Sequence, residues 1–245
     1  MITFGFAVLF VVFSAVAAHA DLLTGKSVLT TSGSIVHDGV SRSVYVSPMS
    51  VTNHTTGQDP FLLFCGDYTT ATTKAFQTTG HEYNAYAMGS SSVPFYSDQQ
   101  KEYVNALFGH AYSTAFDPVG TITNTVYASA IQLAIWSILH ETENYDILSG
   151  NFHVASSFNA NIVQATNNLL NAVLGNVTWG SLGMADFVDY DLTVYVAEGG
   201  KNISQTFISV TGSPNREPAV VPEPATLVMF GLGLIGLAAA RRQRK

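Results

Sequence analysis

The chain has 245 residues, 47% of them hydrophobic and 11% charged, with a formal net charge of -7. This composition excludes a disordered chain and suffices for one domain with a sizeable core. Four of the ten basic groups sit in the last five residues, so the body is more acidic than the total and argues against a nucleic-acid partner.

The chain opens on an apolar run from Phe4 to Val16, followed by small residues at Ala18 and Ala20. The pattern predicts a secretory signal over residues 1–20, cleaved after Ala20. Export bears on Cys65, the chain's single cysteine, because a lone cysteine forms no internal disulfide. It is an inert small hydrophobe, a site of intermolecular pairing, or a nucleophile.

Ser27 to Thr31, Ser34 to Val36 and Ser43 to Val51 alternate and are rich in β-branched residues, which predicts short antiparallel strands. Phe61 to Tyr68, FLLFCGDY, reads as a buried strand that carries Cys65 and ends in a turn. The threonine-rich stretch Thr69 to Thr79 fits strand or loop, and Gly89 to Pro94 is a loop by composition.

A helical section follows. Ser97 or Asp98 caps a helix through Gln99 to Phe108, and Thr123 or Asn124 caps a second, centred on Tyr127 to Glu141, YASAIQLAIWSILHE. Plotted at a helical period, the second buries one broad face and turns Ser137, His140 and Glu141 away from it. Gln132 lies at the border of that face, one turn from Ala128 and one turn from Trp136. Ser156 to Leu174 predicts a third helix, stopped by Gly175.

Strands return at Asn176 to Trp179, Phe187 to Ala197 and Ile203 to Val210, the last two joined through Glu198-Gly199-Gly200-Lys201. The expected class is therefore α+β: an antiparallel β-rich domain, sandwich or barrel, over residues 21–211, with an inserted helical section carrying Gln132. Asp186, Asp189 and Asp191 alternate faces on a strand and read as a solvated edge rather than a metal site. No metal or cofactor is expected.

Residues 212–224 form a linker ending in Pro222-Glu223-Pro224. Residues 225–240 are free of charge and followed by Arg241, Arg242, Gln243, Arg244 and Lys245. At ~1.5 Å per residue the uncharged run is a short membrane helix, with the basic tail of residues 241–245 held on the cytoplasmic side. Pro-Glu-Pro, an apolar helix and an arginine cluster together resemble the PEP-CTERM sorting signal. The resemblance implies an exosortase-type processing enzyme as a partner. It also implies a Gram-negative exported protein, anchored in the inner membrane on the periplasmic side and then released to the surface or the medium.

The aromatic-Cys strand and the Ile-Gln-Leu-Ala-Ile-Trp helix some seventy residues later resemble the thioester domains of bacterial surface adhesins, with Ile131 where that family has Thr. The resemblance implies an internal thioester between Cys65 and Gln132, shielded by Phe64 and Trp136. A surface amine or hydroxyl on protein or polysaccharide would open it in a single-use reaction, so the protein would not be an enzyme. The enzyme-class alternative, a cysteine hydrolase, needs a base near Cys65, and His37, His54, His81, His110, His140 and His153 lie outside any catalytic motif. The other alternative is a non-covalent carbohydrate-binding or biofilm-matrix protein, with the eleven tyrosines and many threonines as its contact surface.

Overall fold

The computed structural model describes residues 20–70, 74–117, 120–141, 144–155, 158–174, 190–199 and 204–210. Residues 1–19 of the predicted leader, the predicted strand at Asn176 to Trp179, Asp186 and Asp189, and everything from residue 211 onward lie outside these residues. The last group includes the sorting signal and the predicted membrane helix over 225–240. No helix among the described residues is long and apolar enough to cross a membrane.

Nine strands are present among the described residues: β1 Asp21–Ser27, β2 Ser32–His37, β3 Val40–Tyr45, β4 Met49–Asn53, β5 Gln58–Cys65, β6 His81–Ala87, β7 Phe152–Val154, β8 Leu192–Ala197 and β9 Phe207–Val210. Six of them close an antiparallel barrel in the order β1-β4-β5-β9-β8-β6, and β3-β2-β7 form a separate sheet. Closure leaves the barrel no open edge. The sequence left sandwich and barrel open, and the structure is a barrel.

The predicted strand Ser43 to Val51 is broken in two by buried Val46, Ser47 and Pro48, so its halves serve different sheets. The threonine-rich stretch ends in a short helix, α1 Lys74–Thr78. Phe76 of α1 packs on Phe207 at 4.9 Å and Tyr83 at 5.7 Å. Gly25 makes room for that ring, since a Cβ there would stand 2.8 Å from it.

The three longer helices are α2 Asp98–Ala115, α3 Thr125–His140 and α4 Ala160–Leu174. Ser97 caps α2 in a capping box with Gln100, and Asn124 caps α3 by accepting from the Tyr127 N–H. Gln100 also reaches across to α3, its Nε2 donating to the carbonyls of Ile138 and Leu139 at 3.3 and 3.0 Å. Those carbonyls belong to the last turn of α3 and have no partner within the helix.

Here the one-faced expectation for α3 fails. Every residue from Ala128 to Leu139 is buried, Ser137 included, and Glu141 is buried just beyond the helix. α3 packs against both α2 and α4, so it has no solvent face. Ser137 donates to the Tyr145 carbonyl and Glu141 accepts from the Phe152 N–H, which satisfies the polar groups this burial strands.

Candidate functional site

Cys65 is the last residue of β5, and each of its groups has a different neighbour. On one flank it pairs with Phe207 of β9. On the other flank β4 begins only at Met49, opposite Leu63, two residues short of the position facing Cys65. The main chain of Cys65 therefore lacks a strand partner there, and Gln132 supplies one. Its Oε1 accepts from the Cys65 N–H at 2.9 Å and its Nε2 donates to the Cys65 carbonyl at 2.7 Å. Both residues are buried, so a side-chain amide on α3 stands in for the missing strand residue and fixes the cysteine from behind.

Both ends of the Gln132 carboxamide thus engage the Cys65 main chain. The sequence pairs Cys65 with Gln132, and the structure does bring the two together, but at the main chain. The side chain at the thiol is Gln205, whose Oε1 accepts from Cys65 Sγ at 3.2 Å. Register explains its arrival: Cys65 stands opposite Phe207, and Gln205 is two residues before Phe207, the diagonal neighbour on the same face. The flanking residues are tied down as well. Ser204 Oγ lies 2.8 Å from Tyr83 Oη, and the Thr206 carbonyl accepts from the Gly66 N–H at 2.8 Å.

Gly66 is required by this contact. A Cβ there would lie 2.5 Å from Tyr96 Oη and 3.4 Å from the Thr206 carbonyl oxygen, so only glycine lets β9 and Tyr96 close on the residue after the cysteine. The two predicted shields are placed differently. Trp136 lines the same cleft as Cys65 and Gln205. Phe64, one residue from Cys65, projects from the opposite face of the strand and meets Phe108 and Phe116 edge-on at 5.1 and 5.7 Å, so it does not cover the sulfur.

The thiol is buried, and burial, with a smaller push from the Asp67 charge, raises its pKa to about 12. It is therefore protonated at neutral pH, with a carboxamide rather than an imidazole as its hydrogen-bond partner. Two of the six candidate bases, His37 and His140, pack on Tyr68 at 5.6 and 4.5 Å between centroids. Among the described residues no cluster of histidine, cysteine, aspartate or glutamate has the arrangement of a metal site.

Residues 220–245 match the PEP-CTERM protein-sorting motif, which covers Pro222, Glu223, Pro224, Arg241 and Arg242 and marks an exported protein of a Gram-negative-type envelope. No curated protein matches the chain. The solved structures similar to it include thioester-domain adhesins. One is the N-terminal thioester domain of the fibronectin-binding protein SfbI from Streptococcus pyogenes, at 14% identity and TM-score 0.48, over 80% of this chain and 95% of that one. Another is the N-terminal domain of the S. pyogenes pilus tip adhesin Cpa, at 12% identity and TM-score 0.47, over 82% and 97%. A third is the N-terminal thioester domain of a Clostridium perfringens surface protein, at 16% identity and TM-score 0.42, over 67% and 88%.

Proposed function

We propose that this is an exported surface protein that attaches covalently to its partner through an internal thioester between Cys65 Sγ and Gln205 Cδ. The observation that carries the reading is the 3.2 Å contact between the sulfur and the Gln205 carboxamide, with Gln132 clamping the cysteine main chain behind it. In this reading Gln132 positions the cysteine and Gln205 is the acyl residue; the pairing expected from the sequence, Cys65 with Gln132, is the alternative.

In the forming step the sulfur adds to Gln205 Cδ, the Cδ–Nε2 bond breaks, and ammonia leaves carrying the thiol proton. A thioester is the higher-energy acyl compound, so the reaction needs the two groups held in contact. Fixed geometry of this kind can supply roughly 7 to 11 kcal/mol against an unconstrained encounter. A nucleophile on another surface then attacks Cδ and releases the Cys65 thiol. Each molecule reacts once, so the protein is not a turnover enzyme.

The sorting motif supports the route to the surface. An exosortase-type enzyme would act on the Pro222-Glu223-Pro224 segment after the uncharged 225–240 segment, expected from the sequence to span the membrane, has held the chain at the inner membrane.

Methylamine tests the assignment of the acyl residue. Treated at alkaline pH, where part of the reagent is uncharged, the protein should carry one methylamide, mapped by peptide mass spectrometry to Gln205. A methylamide on Gln132 would restore the original pairing and refute this one.

A further inference from the structure

The β3-β2-β7 sheet has one edge covered and one open. On β7 the Phe152 N–H donates to Glu141 Oε1 and the Val154 N–H donates to the Ile147 carbonyl at 2.9 Å, so that edge is spent. On β3 the alternation of an antiparallel ladder tells which main-chain groups are left over. The Ser34 carbonyl accepts from Ala155 on the β7 side of β2, and the Thr31 carbonyl, just before β2, accepts from Val46 on the β3 side. Even-numbered residues of β2 therefore bond toward β7 and odd-numbered ones toward β3. By the observed register Val40, Arg42 and Val44 return the bonds from β2, and the N–H and C=O of Ser41, Ser43 and Tyr45 point out of the sheet. Among the described residues nothing hydrogen-bonds these groups, and all three residues are exposed. An open edge of this kind is a template for one more strand.

The edge leads to the cysteine. Ser43, Val44 and Tyr45 line a cleft of about 630 Å³ together with Cys65 and Gln205. An antiparallel strand laid on β3 would start at Tyr45, the cleft end, and finish at Val40.

Charge selects the occupant. Residues 21–211 hold fifteen acidic and five basic residues, and two of the five, Lys26 and Arg42, stand at the cleft and on this edge. The carboxylates nearby are held elsewhere. Asp38 belongs to the turn before β3 and lies 3.7 Å from His37 Nε2. Asp67 accepts from the Thr69 N–H and hydroxyl at 2.7 and 2.6 Å and from the Thr70 hydroxyl at 3.0 Å. A second copy of the chain fits poorly. The register that pairs Ser41, Ser43 and Tyr45 with the same residues of a copy is centred on Ser43, and it sets Arg42 diagonal to its counterpart on the same face, roughly 7–8 Å away. Like charges there oppose self-pairing, whereas a carboxylate opposite Arg42 favours a foreign strand.

We propose that the open edge of β3 docks an extended, acidic segment of a partner protein, which joins the β3-β2-β7 sheet as a fourth strand along the approach to Cys65. Main-chain bonds to Ser41, Ser43 and Tyr45 hold the segment, and the face that carries Arg42 selects its acidic residues. The docking needs no bond to the sulfur. Resting on the thioester reading above, it makes the covalent partner a polypeptide.

The probes are short strand-forming peptides that alternate threonine with glutamate, with glutamine or with lysine. The protein is the exported chain carrying Cys65→Ala, so that binding is read without a covalent step. The expected order of affinity is glutamate, then glutamine, then lysine, and the glutamate peptide should slow hydrogen exchange at the Ser41, Ser43 and Tyr45 amides. Ser43→Pro removes one outward N–H where an edge strand tolerates proline, and should weaken that peptide roughly three- to tenfold, the loss of about one hydrogen bond. Arg42→Glu should reverse the order of the peptides. Melting midpoints check both folds, and if Ser43→Pro lowers its midpoint, Arg42→Glu decides alone. Failure of all three peptides to protect these amides, protection that arises from a dimer without peptide, or an order of affinity that Arg42→Glu leaves unchanged overturns the inference. Each of these leaves the thioester standing, because that reading fails separately, on a full mass of the unsubstituted chain.

Discussion

Gln132 holds Cys65 by its main chain, not by its sulfur, with both ends of the carboxamide spent on the N–H and C=O of one residue. The consequence is a division of labour between two glutamines, one that places the cysteine and one that faces its thiol.

That division predicts opposite phenotypes. Gln132→Ala orphans two buried main-chain groups and should cost about 2 to 6 kcal/mol of stability, from about 1 to 3 kcal/mol for each. Gln205→Ala removes a half-buried side chain and should change stability by no more than about 1 kcal/mol while abolishing adducts. Denaturant titration of the two variants separates the roles, and equal destabilisation would contradict them.

Gly66→Ala should push Tyr96 or β9 away from the cysteine, at about 1 to 3 kcal/mol for overpacking. Thioester formation should fall with it. Adding Tyr96→Phe removes the oxygen that the new methyl group meets, so the double variant should recover part of both stability and yield. Thermal melting and adduct mass measure the two effects.

In Gln205→Ala, which the proposed pairing predicts to form no thioester, the Cys65 thiol should resist iodoacetamide at neutral pH and react only as pH climbs toward 12. The stability effect has a definite sign. The folded pKa lies above the unfolded value, so the folded state keeps its proton longer. The contribution is complete below an ordinary thiol pKa of about 8.5 and is lost as pH rises toward about 12. Substituting Cys65→Ser in that background should flatten the alkaline decline over this window, a change visible in urea titrations.

Glu198, just past β8, faces Glu82 of β6, and the hydrogen bond that protonated Glu198 donates to Glu82, then the Glu82 charge, raises the Glu198 pKa. The raised folded value means that the pair favours folding at acid pH and that the benefit fades as pH rises through it. Glu198→Gln should therefore raise the melting midpoint at neutral pH and leave it nearly unchanged at pH well below 4. A larger gain in acid than at neutrality would contradict the pairing.

Local signals were readable in the sequence where local chemistry decides the structure. Ser97 and Asn124 announce the starts of α2 and α3, and the apolar run ending in Cys65-Gly66 announces a strand and its turn. The barrel was not readable to the same degree. β6, HEYNAYA, buries only Tyr83 and carries a weak alternation, yet it closes the ring between β1 and β8. α3 misled because its serine and glutamate look like solvent positions, and only packing on two sides reveals that they are buried and bonded. Gln205 carries no local mark at all. It looks like any polar residue before a strand, and its place at the sulfur follows from the Cys65–Phe207 register across 140 residues of chain.

Intact mass is the most direct measurement of the central claim, made on the exported protein purified without added amines. The account predicts a chain lighter than its sequence by one ammonia, with no alkylatable thiol until a nucleophile opens the bond. A full mass with Cys65 free to alkylate after denaturation would contradict it.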